Sequence, residues 1–402
     1  MNWQEEVFTE SARNTPYLVE TIPRKLPESV YNCSGRFDIV PTPLSLEDAM
    51  PISPPAEQLL ELPEMNLMEL YGRLRSLTDA AGFSGTLPAI WQCSDESQAI
   101  KKALFGYAYN SPSFNLGRVG ALLDPTRLAT AAHHGHDLVV VGGSHIGADE
   151  RNGIGYIERV HGQVAPCCGM LRRMLEEYLQ VYRRASQLIK VFRVAGPVKV
   201  EVPYKYLFRK PVGETVRLQL HLERLVDGEA LGEGSLGKVY RLHPELSEAL
   251  SEHLPELGST PTPIGPLLRP QLFSFSKVID AESREPKQML EASVAEFLPE
   301  IVTARYPHRR LCDVHTWRQF HRIASYITDA FDGSGRNIFV LAGLTIDYSI
   351  RRNTFVPQFG FWMEQGRALE ARYYNPEQVH ALLGEQKIYR PPVTFLEYAG
   401  IS

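Results

Sequence analysis

The chain has 402 residues, 44% hydrophobic and 22% charged, which excludes a wholly disordered chain and allows two domains or one large core with insertions. Lys and Arg number 42 against 47 Asp and Glu, a formal net charge of -5 that excludes a generally basic nucleic-acid binder. The five cysteines (Cys33, Cys93, Cys167, Cys168 and Cys312) are too few and too irregular for a disulfide framework, so reduced thiols are expected.

The opening MNWQEEVFTESARN has no basic stretch followed by an apolar one, so no secretory signal is expected. No apolar run approaches the roughly 18 residues of a membrane span, and a soluble cytoplasmic protein is expected. Pro41, Pro43, Pro51, Pro54, Pro55 and Pro63 punctuate the first 85 residues, which suits an extended arm with short helices. Leu67, Leu70, Leu74 and Leu77 form one stripe and predict a helix over 67–81, ended by Gly82 and Gly85. Leu87 to Cys93 reads as a short apolar strand and Ala99 to Phe105 as a helix. Asp137 to Val141 is a continuous apolar run stopped by Gly142 and Gly143, as in a strand buried on both faces of an α/β sheet. A glycine-rich loop runs from Gly147 to Gly162. Cys168-Gly169 then opens a helix with Leu171, Leu175, Tyr178, Leu179 and Tyr182 on one face, and Arg172, Arg173, Glu176 and Glu177 largely opposite.

Beyond residue 195 the pattern changes. Val198 to Leu222 alternates like a hairpin, with Lys210-Pro-Val-Gly213 as its turn. Residues 255–270 read as a linker or long loop. Trp317 to Phe331 is expected to be helical, and Asn337–Tyr348 and Thr354–Met363 to be two long strands. The fold class is α/β, organised as an arm (1–85), a core (86–195) and a C-terminal region (196–402) that completes the sheet or forms a second domain.

Cys93 and Asp95 follow one apolar strand, and Ser144-His145 follows another. Ligands in open α/β sheets gather at strand ends of this kind. Cys167-Cys168-Gly169 stands at a helix N-terminus, where the dipole favours thiolate. Two thiolates and an imidazole suit zinc and leave a fourth position for water, whose pKa zinc lowers to about 7. Read singly, each of these residues is an ordinary small core thiol or polar loop histidine.

Residues 137–170, DLVVVGGSHIGADERNGIGYIERVHGQVAPCCGM, resemble the limiting-CO2-inducible proteins, a family that belongs with the β-type carbonic anhydrases. The shared pattern is an apolar strand into His-Ile-Gly, a glycine-bearing acidic loop, and Cys-Gly opening a helix. Cys93-Ser-Asp95 is similar to the upstream half of the β-type signature. The resemblance spans roughly residues 85–185. It implies a β-carbonic-anhydrase-like sheet flanked by helices, zinc held by Cys93, His145 and Cys168, and Asp95 beside the reacting water. It implies Cys168 rather than Cys167 as ligand, because the family's ligand directly precedes a glycine. The implied reaction is reversible hydration of CO2 to bicarbonate, in a homodimer. The signature arginine that holds the aspartate off the metal is replaced here by Ser97. Arg118, Arg127 and Arg151 are candidates to substitute for it. Without one, Asp95 would close the site. The alternative is therefore a catalytically inactive zinc-binding relative with a regulatory or binding role in inorganic-carbon handling; a zinc hydrolase is a third reading.

His133, His134 and His136 precede the second strand; they are candidate pocket or proton-transfer groups, weighed against an ordinary polar loop. Leu231 to Val239 matches the glycine-rich loop of kinases, but no lysine, H-R-D or D-F-G context accompanies it, so a surface turn is expected. Cys312, His315 and His321 lack a fourth partner and read as a partly buried helix start rather than a second metal site.

Overall fold

The structure is a computed structural model that describes residues 61–391, apart from 125, 129–133, 135, 160–161, 208–214, 254–256, 281–282 and 350–351. The expected arm up to residue 60, the 210–213 turn and His133 lie outside the described residues.

The described residues form a mixed α/β fold around a nine-stranded sheet. Its main path runs Met65–Asn66, Arg352–Met363, Ile338–Tyr348, Leu138–Gly142, Leu87–Trp91, Phe114–Asn115. The Leu138–Gly142 strand is parallel to both its neighbours, Leu87–Trp91 and Ile338–Tyr348, and every residue of it is buried. A strand covered on both faces has no reason to alternate, which is why this segment reads as an unbroken apolar run. Ile338–Tyr348 and Arg352–Met363 form an antiparallel hairpin in the middle of the sheet, so the C-terminal residues build the same layer as the 87–142 strands. Gln358 is the extra residue of a bulge between Ala342 and Gly343; it is buried and donates to Asp313 Oδ1 at 2.6 Å.

The long Ile338–Tyr348 strand sets the position of His145. Its first half pairs with Leu138–Gly142 and its second half with His145–Asp149, also in parallel. Between those two short strands the chain turns through Gly143, at φ +145°, and a Cβ there would lie 1.8 Å from the Gly343 carbonyl oxygen. Only glycine allows that approach. One side of the sheet carries the helix Pro307–Phe331, which begins ten residues before the expected Trp317, with Pro307 at the start of its first turn. The helix Gly169–Leu188 buries Leu171, Leu175, Tyr178 and Leu179 as its periodicity requires.

Two expectations for the C-terminal region are corrected. Lys199–Pro203 and Arg217–Leu220 do not pair with each other: the first lies between Lys190–Phe192 and Gly237–Leu242, and the second pairs with Phe273–Ser276. Alternation shows that a segment is a strand but leaves its partner open. Residues 257–270 are a long loop, as one of the alternatives had it, but not a linker, since Thr262–Pro263 joins a five-stranded sheet and Ile264, Leu267 and Leu268 are buried. The kinase-like glycine loop is the tight turn between Val226–Glu233 and Gly237–Leu242. Its Leu236 amide and Ser235 hydroxyl donate to the buried Glu201 carboxylate at 2.6 and 3.2 Å, so a protein anion occupies the position a phosphate would need.

Candidate metal centre

Three segments that are distant in sequence converge. Cys93 follows the Leu87–Trp91 strand, His145 begins the His145–Asp149 strand, and Cys168 caps the helix Gly169–Leu188. All three are buried, and the two sulfurs and a His145 ring nitrogen lie within 4.8 Å of one another. The Cys93 and Cys168 sulfurs are 3.9 Å apart. Two thiolates on a tetrahedral zinc, each at about 2.3 Å, would be separated by about 3.8 Å.

The imidazole is held from behind. Asp347, fully buried on the Ile338–Tyr348 strand, accepts from His145 Nδ1 at 2.7 Å. Thr345 is the register partner of His145 on that strand, and Asp347, two residues on, projects from the same face. Gln98 Nε2 and the Ser97 hydroxyl also donate to Asp347 Oδ2, at 2.6 and 3.0 Å. The Cys167 thiol adds a longer contact at 3.3 Å. The other ring nitrogen, Nε2, is buried with no hydrogen-bond partner. A buried imidazole fixed at one nitrogen and unsatisfied at the other matches the arrangement of metal-ligating histidines, whose remote N–H is given to a carboxylate. The residues present therefore fit a metal ion: two thiols, one free imidazole nitrogen and a carboxylate behind it.

The titration of these groups is tightly linked. The Cys168 thiol lies against Cys93 and holds its pKa down to about 4 despite burial, and the same contact drives Cys168 up. The Gly120 amide donates to the Cys93 sulfur at 3.1 Å, which also suits a thiolate. Burial alone would lower the pKa of His145; its bond to Asp347 and the closeness of the three thiols outweigh it and raise it. Asp347 would be raised by burial but is lowered by His145 and by the charge of Lys101. Lys101 is itself buried, donates to Thr345 Oγ1 at 2.6 Å, and is pulled down to about 8 by burial.

Cys167 is a different kind of thiol. It packs 3.3 Å from His145 Nδ1, and burial raises its pKa to about 11. Cys167, His145 and Asp347 form a second close cluster, but that cluster uses the nitrogen already bonded to Asp347.

Asp95 stands outside both clusters. It accepts the Ser97 amide at 3.0 Å, and Arg159 Nη2 lies 3.6 Å from its Oδ2. None of the arginines named from sequence is at that carboxylate: Arg118 and Arg127 both pair with Asp124, and Arg151 is exposed in a turn held by Asp149. Ser97 does reach the centre, through Asp347. His134 packs its ring at a tilt against Phe114, with centroids 5.0 Å apart, and joins neither cluster. Cys312 contacts the His145 carbonyl at 3.7 Å and His315 Nδ1 the Ser144 hydroxyl at 2.9 Å, so they brace the His145 strand rather than form a second centre. A cleft of about 440 Å³ opens onto Cys93 and Cys168, with Asp95, Arg159, Met170 and Arg173 among its walls.

The fold and the site thus define a mixed α/β protein with a buried Cys/His/Cys cluster that could bind a metal, backed by an aspartate. No protein-family model matches the chain, and no curated protein does. Among solved structures it is similar to PtLCIB4, a homolog of the limiting CO2-inducible protein LCIB, with a TM-score of 0.46 and 13% identity over 78% of this chain and 94% of that one. It is also similar to LCIB itself, at 0.41 and 15% over 78% and 94%. Its structural neighbours are thus limiting-CO2-inducible proteins, but likeness at this level leaves the argument about the site to the residues above. None of the described helices is long and apolar enough to cross a membrane.

Proposed function

We propose that this chain is a limiting-CO2-inducible family protein and a zinc-dependent carbonic anhydrase, catalysing the reversible hydration of CO2 to bicarbonate. In this reading Cys93, His145 and Cys168 are the zinc ligands. The observation that carries it is His145, with Nδ1 bonded to Asp347 and Nε2 left without a partner beside two thiols 3.9 Å apart. The choice of CO2 rests on the sequence pattern around these residues. Zinc held there would supply a Lewis acid that makes water acidic near neutral pH.

The chain's own residues have separable duties. Asp347 orients His145 and keeps its Nδ1 protonated, so that Nε2 carries the lone pair. Val119, Ala165, Pro166 and Met170 give the cleft apolar wall suited to CO2, while Arg159 and Arg173 offer positive charge to the bicarbonate product. Arg159, beside Asp95, takes over the duty of the signature arginine and holds that carboxylate aside. The homodimer belongs to the same reading and is checked by light scattering.

The second reading, a zinc-bearing relative without activity, is favoured by Ser97, whose hydroxyl faces Asp347 and leaves Asp95 to an arginine 3.6 Å away. Stopped-flow CO2 hydration on protein of known zinc content separates the two. Fast, anion-sensitive hydration supports the enzyme; full zinc loading without hydration supports the inactive relative.

A further inference from the structure

The helix Gly169–Leu188 carries the thiol cleft at its N-terminus and a second, unrelated cleft near its other end. The second has a volume of about 480 Å³, within the range of small-molecule sites. It lies between the second half of that helix, the short Tyr204–Leu207 helix and the Arg217–Leu220 strand, and it shares no lining residue with the thiol cleft. From Cys168 to Arg184 is 16 helical steps, about 24 Å.

Its walls have two characters. Val181, Leu207, Val216 and Leu218 supply apolar surface, and Arg184, Lys205 and Arg217 supply positive charge. Arg184 and Lys205 are both exposed, and no described carboxylate pairs with either of them. Lys205 Nζ stands 4.5 Å from the centre of the Tyr206 ring. Among the described residues one acid faces the cleft, Glu223, and it lies 3.6 Å from His221 Nδ1. Burial lowers the pKa of Lys205 and the nearby charge of Arg184 lowers it further, so the two cations feel each other, with no anion between them among the described residues. Like charges brought together beside an aromatic ring and an apolar floor are stabilised by an anion of more than one charge with an uncharged body. Phosphate esters fit that description, because the group carries about −1.5 to −2 at neutral pH.

We propose that this cleft binds an organic phosphate whose uncharged part is flat or apolar, at a site separate from the metal centre. The probe is trinitrophenyl-AMP, a fluorescent organic phosphate, titrated into the full-length protein. Saturable binding of one probe per chain is expected, with displacement by inorganic pyrophosphate and weakening as salt rises. Arg184→Glu with Lys205→Glu should weaken it tenfold or more, and Arg184→Ala with Lys205→Ala by less. Both side chains are exposed, and unchanged melting temperatures would confirm that the variants fold. Absence of saturable binding would overturn the proposal. So would binding that ignores these charge reversals, or binding abolished instead by Arg173→Glu, which would place the probe in the thiol cleft.

Discussion

Replacing Asp347 by asparagine tests the support of the proposed metal centre without touching a proposed ligand. The substitution keeps the volume of a fully buried side chain. It removes the charge that opposes Lys101 and the acceptor for His145 Nδ1, Gln98 and Ser97, at 2.7, 2.6 and 3.0 Å. An amide can present one oxygen and must aim its N–H groups at donors. The ring of His145 then loses its fixed tautomer. Loss of a carboxylate behind a metal-bound histidine typically weakens metal binding 10–100-fold, which is about 1.4–2.7 kcal/mol. The assay is competition for zinc against a chromogenic chelator at fixed pH, with metal-free thermal melting recorded in parallel. Zinc affinity within threefold of the natural protein would refute the reasoning and leave Asp347 as a structural partner only.

Further outcomes follow from the same contacts. Arg159→Ala should lower CO2 hydration tenfold or more while zinc content holds, because Asp95 is then free to approach the metal. Ser97→Arg should bring no gain, since Arg159 already faces Asp95 and the serine hydroxyl on Asp347 is lost; stopped-flow assays of both variants check this. His315 is buried and its pKa is pulled down to about 3, while an unfolded histidine titrates near 6.5. The unfolded chain therefore binds the extra proton as pH falls below 6.5, and the native state loses stability, by about 2 kcal/mol between pH 8 and pH 5. Urea unfolding at both pH values should show a loss about 2 kcal/mol smaller in His315→Asn than in the natural protein, since His308 and His321, also lowered to about 4 by burial, add the same loss to both. Gly143→Ala should destabilise the fold by about 3 kcal/mol or more, because its Cβ would meet the Gly343 oxygen at 1.8 Å. A melting temperature within a few degrees of the natural protein's would contradict the strand geometry.

The apolar strands and the Cys168-capped helix were legible because continuous burial and 3.6-residue periodicity write themselves into composition. So were the two strands of the central hairpin, each long and apolar. Their place in the middle of the sheet was not legible, because pairing across 200 residues leaves no local mark. Asp347 was passed over, although a lone carboxylate inside the run Leu344-Thr-Ile-Asp-Tyr348 is itself a signal: a buried charge needs a partner. Arg159 could not be ranked above Arg151 from sequence, since the folding of the Tyr156–Glu158 and Val164–Pro166 strands decides which arginine faces Asp95. Pro, Gly and Thr between 255 and 270 suggested a linker, and the apolar Ile264, Leu267 and Leu268 within it were the contrary evidence.

The most direct test of the central claim is zinc content per chain, measured by elemental analysis on the natural protein and on Cys93→Ala, His145→Ala, Cys168→Ala and Cys167→Ala. One zinc per chain is expected in the natural protein and in Cys167→Ala, with loss in the other three. Equal zinc in all five, or none in the natural protein, would contradict the assignment of the metal centre.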